Sequence, residues 1–158
     1  MQKVKVLIHL KSGLSDTGTG PVPGELMLEG DSLSLLWTQP PSKEETGSSL
    51  NQLIYERPEG VLHMMRKGDY TTELSFSEDA RTRGTLYTPH GDFLMEIETK
   101  RIFIPEKLWV LAKDGGDITA DEDGNCILLR YFLLLSDQEP IQNDISIQIS
   151  LEKNEDKG

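Results

Sequence analysis

A chain of 158 residues with 16 basic and 27 acidic side chains is the size of one domain, able to bury a core without disulfides or metals. Its net charge of −11 repels phosphate backbones and anionic bilayers, so neither nucleic acid nor a membrane is expected as a partner. The single cysteine, Cys126, excludes an internal disulfide framework and fits a reducing, cytoplasmic setting, where a small buried thiol is expected.

Taken in chain order, the apolar residues recur with period two, the signature of half-buried strands. Val4, Val6, Ile8 and Leu10 share one face of the first run. Leu26 and Leu28 open a second and "SLSLLWTQ" forms a third, with Gly30-Asp31 as the turn between them. The stretch after Trp37, "QPPSKEETGSS", has the Pro pair and Gly of a loop. Tyr70, Thr72, Leu74 and Phe76 alternate with polar residues, and Ile145, Ile147, Ile149 and Leu151 give the cleanest strand. Helical periodicity is nearly absent. Nine or ten strands joined as hairpins predict an all-β fold, a meander closed into a barrel or folded into a sandwich. One domain over residues 1–152 is expected, followed by a flexible polar tail, 153–158.

Two hairpins decide which side chains face inward. Pro89-His90-Gly91 suits a three-residue loop with Gly in the left-handed position. That register sets Arg83 opposite Ile97, Thr85 opposite Met95 and Tyr87 opposite Phe93. It gathers these residues with Thr99 on one apolar face. Lys67-Gly68 as a two-residue loop turns His63 inward beside Val61 and Met65. A one-residue change in loop length turns Arg66 inward and His63 outward instead.

The runs "MRKGDYTTELSF", "YTPHGDFLMEIETK" and "NDISIQIS" resemble the YwiB-like family of bacterial proteins, over roughly Gly60 to Leu151. The resemblance rests on the Met-Arg-x-Gly turn, the Phe soon after it, the Tyr-Thr before a Gly turn, and Thr99. It implies a single antiparallel β-barrel of the calycin type, shaped like lipocalins and fatty-acid binders. It carries no catalytic residues with it. The inserts "QPPSKEETGSS" and "DGGDITADEDGN" depart from the family's pattern.

Searched for chemistry, the sequence yields little. Fitting "DEDGN" to a calcium loop puts Thr119 first and Arg130 at the bidentate acid's place, so a hairpin turn explains it better. His9, His63 and His90 lie on separate segments without metal-ligand spacing. No nucleophile elbow, P-loop or dinucleotide glycine pattern is present, and neither catalysis nor a cofactor or metal is expected. Arg83 on an apolar lining would need a partner. A ligand carboxylate is one, and snorkelling to water near a barrel end is the other solution. The resulting reading is a non-enzymatic barrel that binds a small apolar or amphipathic ligand, with Arg83, His63, Tyr87, Thr85 and Thr99 as candidate site residues. The alternative is an interaction or structural barrel whose interior is filled by side chains.

The run "CILLRYFLLL" raises a separate question. Ile127, Leu129, Tyr131, Leu133 and Leu135 are assigned to the interior, which leaves Cys126, Leu128, Phe132 and Leu134 on a second apolar face. A homodimer partner or the Pro-rich insert after Trp37 would cover that face, or it stays exposed.

Overall fold

The computed structural model describes residues 2–12, 21–41, 46–114, 126–136 and 138–151. Most of the Gly-rich turn before Pro21, the "DEDGN" run and the polar tail lie outside the described residues. In chain order the elements are β1 (Gln2–Ser12), β2 (Val22–Glu29), β3 (Ser32–Gln39), β4 (Ser49–Glu56), β5 (Val61–Lys67), β6 (Thr71–Ser77) and β7 (Arg81–Thr88). They continue as β8 (Gly91–Phe103), the helix α1 (Glu106–Asp114), β9 (Cys126–Leu134) and β10 (Ile141–Leu151). Each strand pairs antiparallel with its sequence neighbour, and β1 pairs with β10, so the meander closes into a barrel. Closure leaves no sheet edge to template aggregation.

Alternation explains the core. Val6, Ile8, Leu26, Leu33, Leu35, Leu53, Leu62, Phe76, Ile97, Ile127, Leu129, Ile147 and Ile149 are all buried, each two residues from the next inward side chain on its strand. The Phe76 and Tyr131 rings meet inside at 4.8 Å between centroids. Burial of a side chain of this size contributes about 1.5–3 kcal/mol, so such an interior outweighs any surface pairing. At Gly84 the chain has no room for a side chain. A Cβ would press on Leu74 Cδ2 and lie 3.1 Å from the Glu73 carbonyl and 3.2 Å from Ile97 Cδ1.

The links β1–β2, β3–β4, β5–β6, β7–β8 and β9–β10 define one end of the barrel, called here the upper end. At the lower end sits α1, which the strand pattern did not anticipate. Its signals are conventional: Pro105 just before the first turn, Glu106 in that turn, Lys113 in the last, and Leu108, Leu111 and Ala112 at helical spacing. Those three residues and Trp109 are buried in the core cluster, so the helix plugs the barrel. Arg57 fixes it from outside. Its guanidinium lies 4.3 Å from the Trp109 ring and donates to Glu106 Oε1 at 2.7 Å. Tyr55 meets Trp109 edge-on at 6.2 Å.

Both hairpin registers differ from the expected ones by an odd number of residues, β7–β8 by one and β5–β6 by three. The β7–β8 loop has two residues, Pro89 and His90, with Thr88 paired to Gly91. The Thr88 hydroxyl closes it, donating to the Gly91 carbonyl at 2.8 Å and accepting the His90 N–H at 3.1 Å. Gly91, at φ 134°, therefore belongs to the ladder. Arg83 now faces Glu96, Thr85 faces Leu94 and Tyr87 faces Asp92. The β5–β6 loop is longer than expected, with Lys67 paired to Thr71. Here Asp69 is drawn out of the ladder by Thr46, whose N–H and hydroxyl donate to its carboxylate at 2.9 and 2.8 Å. Because side chains alternate, each slip exchanges the two faces.

The β9 residues Ile127, Leu129 and Tyr131 are buried inside, as expected. On its outer face Cys126, Leu128, Phe132 and Leu134 are half-buried. Neighbouring strands supply cover: Lys100 Nζ lies 5.9 Å from the Phe132 ring, and Arg130 pairs with Asp144 at 2.9 Å. The described end of the insert after Trp37 is tied to Asp69 at the upper end.

Candidate functional site

The register places an unbroken inner row across five strands near the upper end. Trp37 pairs with Asn51, Asn51 with Arg66, Arg66 with Thr72, and Thr72 with Leu86. Asn51 shares the inward parity of buried Leu53, and Arg66 that of buried Leu62. Three adjacent polar groups thus stand on a mainly apolar wall. Asn51 is only 8% exposed, and its Nδ2 donates to Ser49 Oγ at 3.2 Å. Ser49 is buried too, and Arg66 and Thr72 are half-buried. The Arg66 charge reaches Asp69, whose carboxyl is held below its ordinary range first by the Thr46 N–H and then by the Thr46 hydroxyl, with Arg66 adding in the same direction.

Chemically, this row offers donors. A guanidinium and an amide beside Trp37 suit an anionic or strongly polar head group whose apolar body enters the barrel. Around the same end lie exposed large apolar side chains: Leu50, Tyr70, Tyr87, Phe93, Leu94 and Ile141. Leu94 is 73% exposed. Among the described residues, no cluster of three His, Cys, Asp or Glu side chains could hold a metal ion, and no helix is long and apolar enough to cross a membrane.

The five residues expected to line an interior site separate. Arg83, Thr85, Tyr87 and His63 all stand on the outer wall, contrary to the expected inward face, because of the two register slips. His63 is exposed, with Nδ1 3.0 Å from Ser75 Oγ. Tyr87 donates to Glu73 Oε1 at 3.2 Å, and Thr85 pairs with that same Glu73. Arg83 lines an outer groove of about 460 Å³ with Leu94, Glu96 and Leu134. Thr99 is the exception. It faces inward at 0% exposure beside Tyr131, and its hydroxyl has no partner. Arg66 was visible in the sequence as the other outcome of the β5–β6 loop length. Asn51 was visible only as a polar residue in phase with Leu53 and Tyr55.

Comparisons with known proteins agree with this architecture. The crystal structure of the ywiB protein from Bacillus subtilis superimposes with a TM-score of 0.68 over 97% of this chain and 95% of that one, at 15% sequence identity. That likeness shows the fold. No curated protein matches the chain in sequence. Residues 10–147, most of the barrel, match the family described as a domain of unknown function, DUF1934. With its β-barrel and its YwiB-like fold, the chain belongs to that DUF1934 family.

Proposed function

We propose that this protein is a non-enzymatic, cytoplasmic binder of a small amphipathic molecule, whose polar head meets Asn51 and Arg66 and whose apolar body lies among the inner side chains. The observation that carries the reading is the polar row Asn51–Arg66–Thr72 on the inner wall of a mainly apolar barrel. Inward polar groups are costly to bury unless paired, as Asn51 is with Ser49, and a polar head group entering at this end would meet them beside the partners they already have. Outward charges such as Lys3, Lys5, Glu73, Glu96, Arg130 and Asp144 suit a wall that faces water, and the net charge of −11 disfavours nucleic acid.

Trp37 stands in the same row and supplies the readout. Titration with dodecanoate should change tryptophan emission, and Arg66→Met should weaken binding about tenfold or more, the value of one charge-assisted hydrogen bond. Arg83→Met, on the outer wall, should leave the affinity unchanged. Equal binding by wild type and Arg66→Met removes Arg66 as the anchor. No binding by the wild type removes the ligand reading.

A second reading, a barrel that works as a docking platform, is favoured by the exposed Tyr87, Phe93 and Leu94 near the β7–β8 turn. A second copy of the chain is one partner for it.

A further inference from the structure

On the outer wall the ladder sets two arginines against each other. Arg101 of β8 pairs with Arg130 of β9, and Arg130 with Asp144 of β10. Like charges directly opposed on a sheet weaken the pairing. A register shift produces the arrangement, because Lys100 is left unmatched between Thr99 and Arg101. Thr99 faces inward, and the extra residue of the bulge turns both Lys100 and Arg101 outward. Lys100 is taken by Glu98 at 2.7 Å. Arg101 is exposed, lies 5.7 Å from the Phe103 ring, and has no carboxylate partner among the described residues.

The next outward row runs Phe103–Leu128–Ser146–Lys11 across β8, β9, β10 and β1. Lys11 is exposed and likewise has no ion-pair partner among the described residues. A groove of about 370 Å³ lies along the two rows, and its lining includes Lys11, Arg101, Leu128, Arg130, Asp144 and Ser146. Its charge is the reverse of the chain's, with three cations and one carboxylate in a protein of net charge −11. Nε and Nη2 of Arg130 donate to Asp144 at 2.9 and 3.5 Å, which leaves Nη1 without a partner among the described residues. A further carboxylate, Glu78 of the β6–β7 turn, accepts the Ile102 N–H at 2.8 Å and makes no ion pair among the described residues.

This balance selects a small dianion. Guanidinium forks match phosphate oxygens, Lys11 adds a point charge, and the Ser146 hydroxyl is a neutral donor. Leu128 between the cations offers an apolar seat for an organic group on the phosphate. Screening at physiological ionic strength acts over about 8 Å, so a small ligand feels the groove's own cations more than the distant acids. We propose that this outer groove is a phosphate-binding site for a small phosphomonoester, with Arg101, Arg130 and Lys11 as its cations. It stands apart from the interior and does not depend on the reading given for it.

Calorimetric titration with phenyl phosphate, inorganic phosphate and benzoate tests this. Wild type should bind phenyl phosphate at one site, about tenfold or more tighter than benzoate, the worth of a charge-assisted hydrogen bond. Arg101→Gln should weaken phenyl phosphate by about the same factor. Lys11→Gln should weaken it about two- to fivefold, and Asp144→Asn, which removes a competing carboxylate, should tighten it about as much. Arg83→Gln, in the other outer groove, should change nothing. Circular dichroism checks that each variant keeps the barrel. Tighter binding of phenyl phosphate than of inorganic phosphate supports the monoester, and equal or weaker binding overturns it in favour of the free ion. The site itself is overturned if wild type binds neither phosphate, if benzoate binds as tightly, or if Arg101→Gln binds phenyl phosphate like wild type.

Discussion

The two ends of this barrel solve opposite problems with the same ten strands. At the lower end α1 supplies Leu108, Trp109, Leu111 and Ala112 to the core, and Arg57 locks the helix by stacking on Trp109 and pairing with Glu106. Those four groups are buried there and the charged groups sit outside, although Phe103 and Val110 are exposed at this end too. At the upper end the order is partly reversed. Asn51, Arg66 and Thr72 occupy inward positions, while Tyr70, Tyr87, Phe93 and Leu94 are exposed. The lower end is built for stability. The upper end leaves apolar area in water and holds polar groups on its inner wall.

The largest test of this contrast removes the plug. Trp109→Ala deletes a large buried ring together with its contacts to Arg57 and Tyr55, and should cost about 3–5 kcal/mol in denaturant unfolding. A loss below about 1 kcal/mol would mean that the helix is an accessory to the barrel. Its counterpart at the upper end is Leu94→Lys. With Leu94 so far exposed, the same unfolding measurement should move by no more than about 0.5 kcal/mol. Sedimentation of that variant speaks to the docking reading, since a wild-type assembly that the lysine splits would place the interface on this rim.

The smallest effect concerns pH. The Asp69 carboxyl is held below its ordinary value of 3.8 by the Thr46 N–H and hydroxyl and by Arg66. A depressed folded-state value means that the tie is fully present above pH 3.8 and is lost as pH falls through the lower folded value. The exposed position confines the consequence to the loop. Amide signals of Thr46 and Gly68 should shift on acidification below that point, with Trp109 and the lower end unchanged. Movement of both ends together would show that the effect is not confined to the loop.

How far these features could be read from sequence depends on what fixes each one. The inner face of β9 was legible because Ile127, Leu129 and Tyr131 alternate in a strand whose apolar content outweighs any turn. The closed meander was legible from repeated alternation and from the resemblance to a barrel family. The hairpin faces were not, because the loops carry local hydrogen bonds that the alternation pattern does not record. Thr88 bonds within one turn, and Thr46, more than twenty residues upstream, bonds Asp69 in the other. Neither bond leaves a periodic trace. Four of five candidate site residues changed walls on that account, whereas Thr99, set beside Tyr131 by the β8–β9 ladder, stayed inside. Helix α1 was short enough for its spacing to be lost among strands, although its end signals were in place.

The ladder between β6 and β7 pairs only Thr71–Leu74 with Gly84–Tyr87, whereas β7 and β8 pair along all of Arg81–Thr88. Beyond Leu74 the strands are joined by the Thr82 hydroxyl, which donates to the Ser75 carbonyl. A ring has no free ends, so it cannot fray; it has to split along a seam, and the shortest ladder is where splitting is cheapest. Fluctuations of the native protein should therefore convert the barrel transiently into a curved open sheet with Ser75–Ser77 and Arg81–Arg83 as its lips. Amide hydrogens along those lips should exchange with solvent well before those that join β9 to β10, a ladder that runs unbroken.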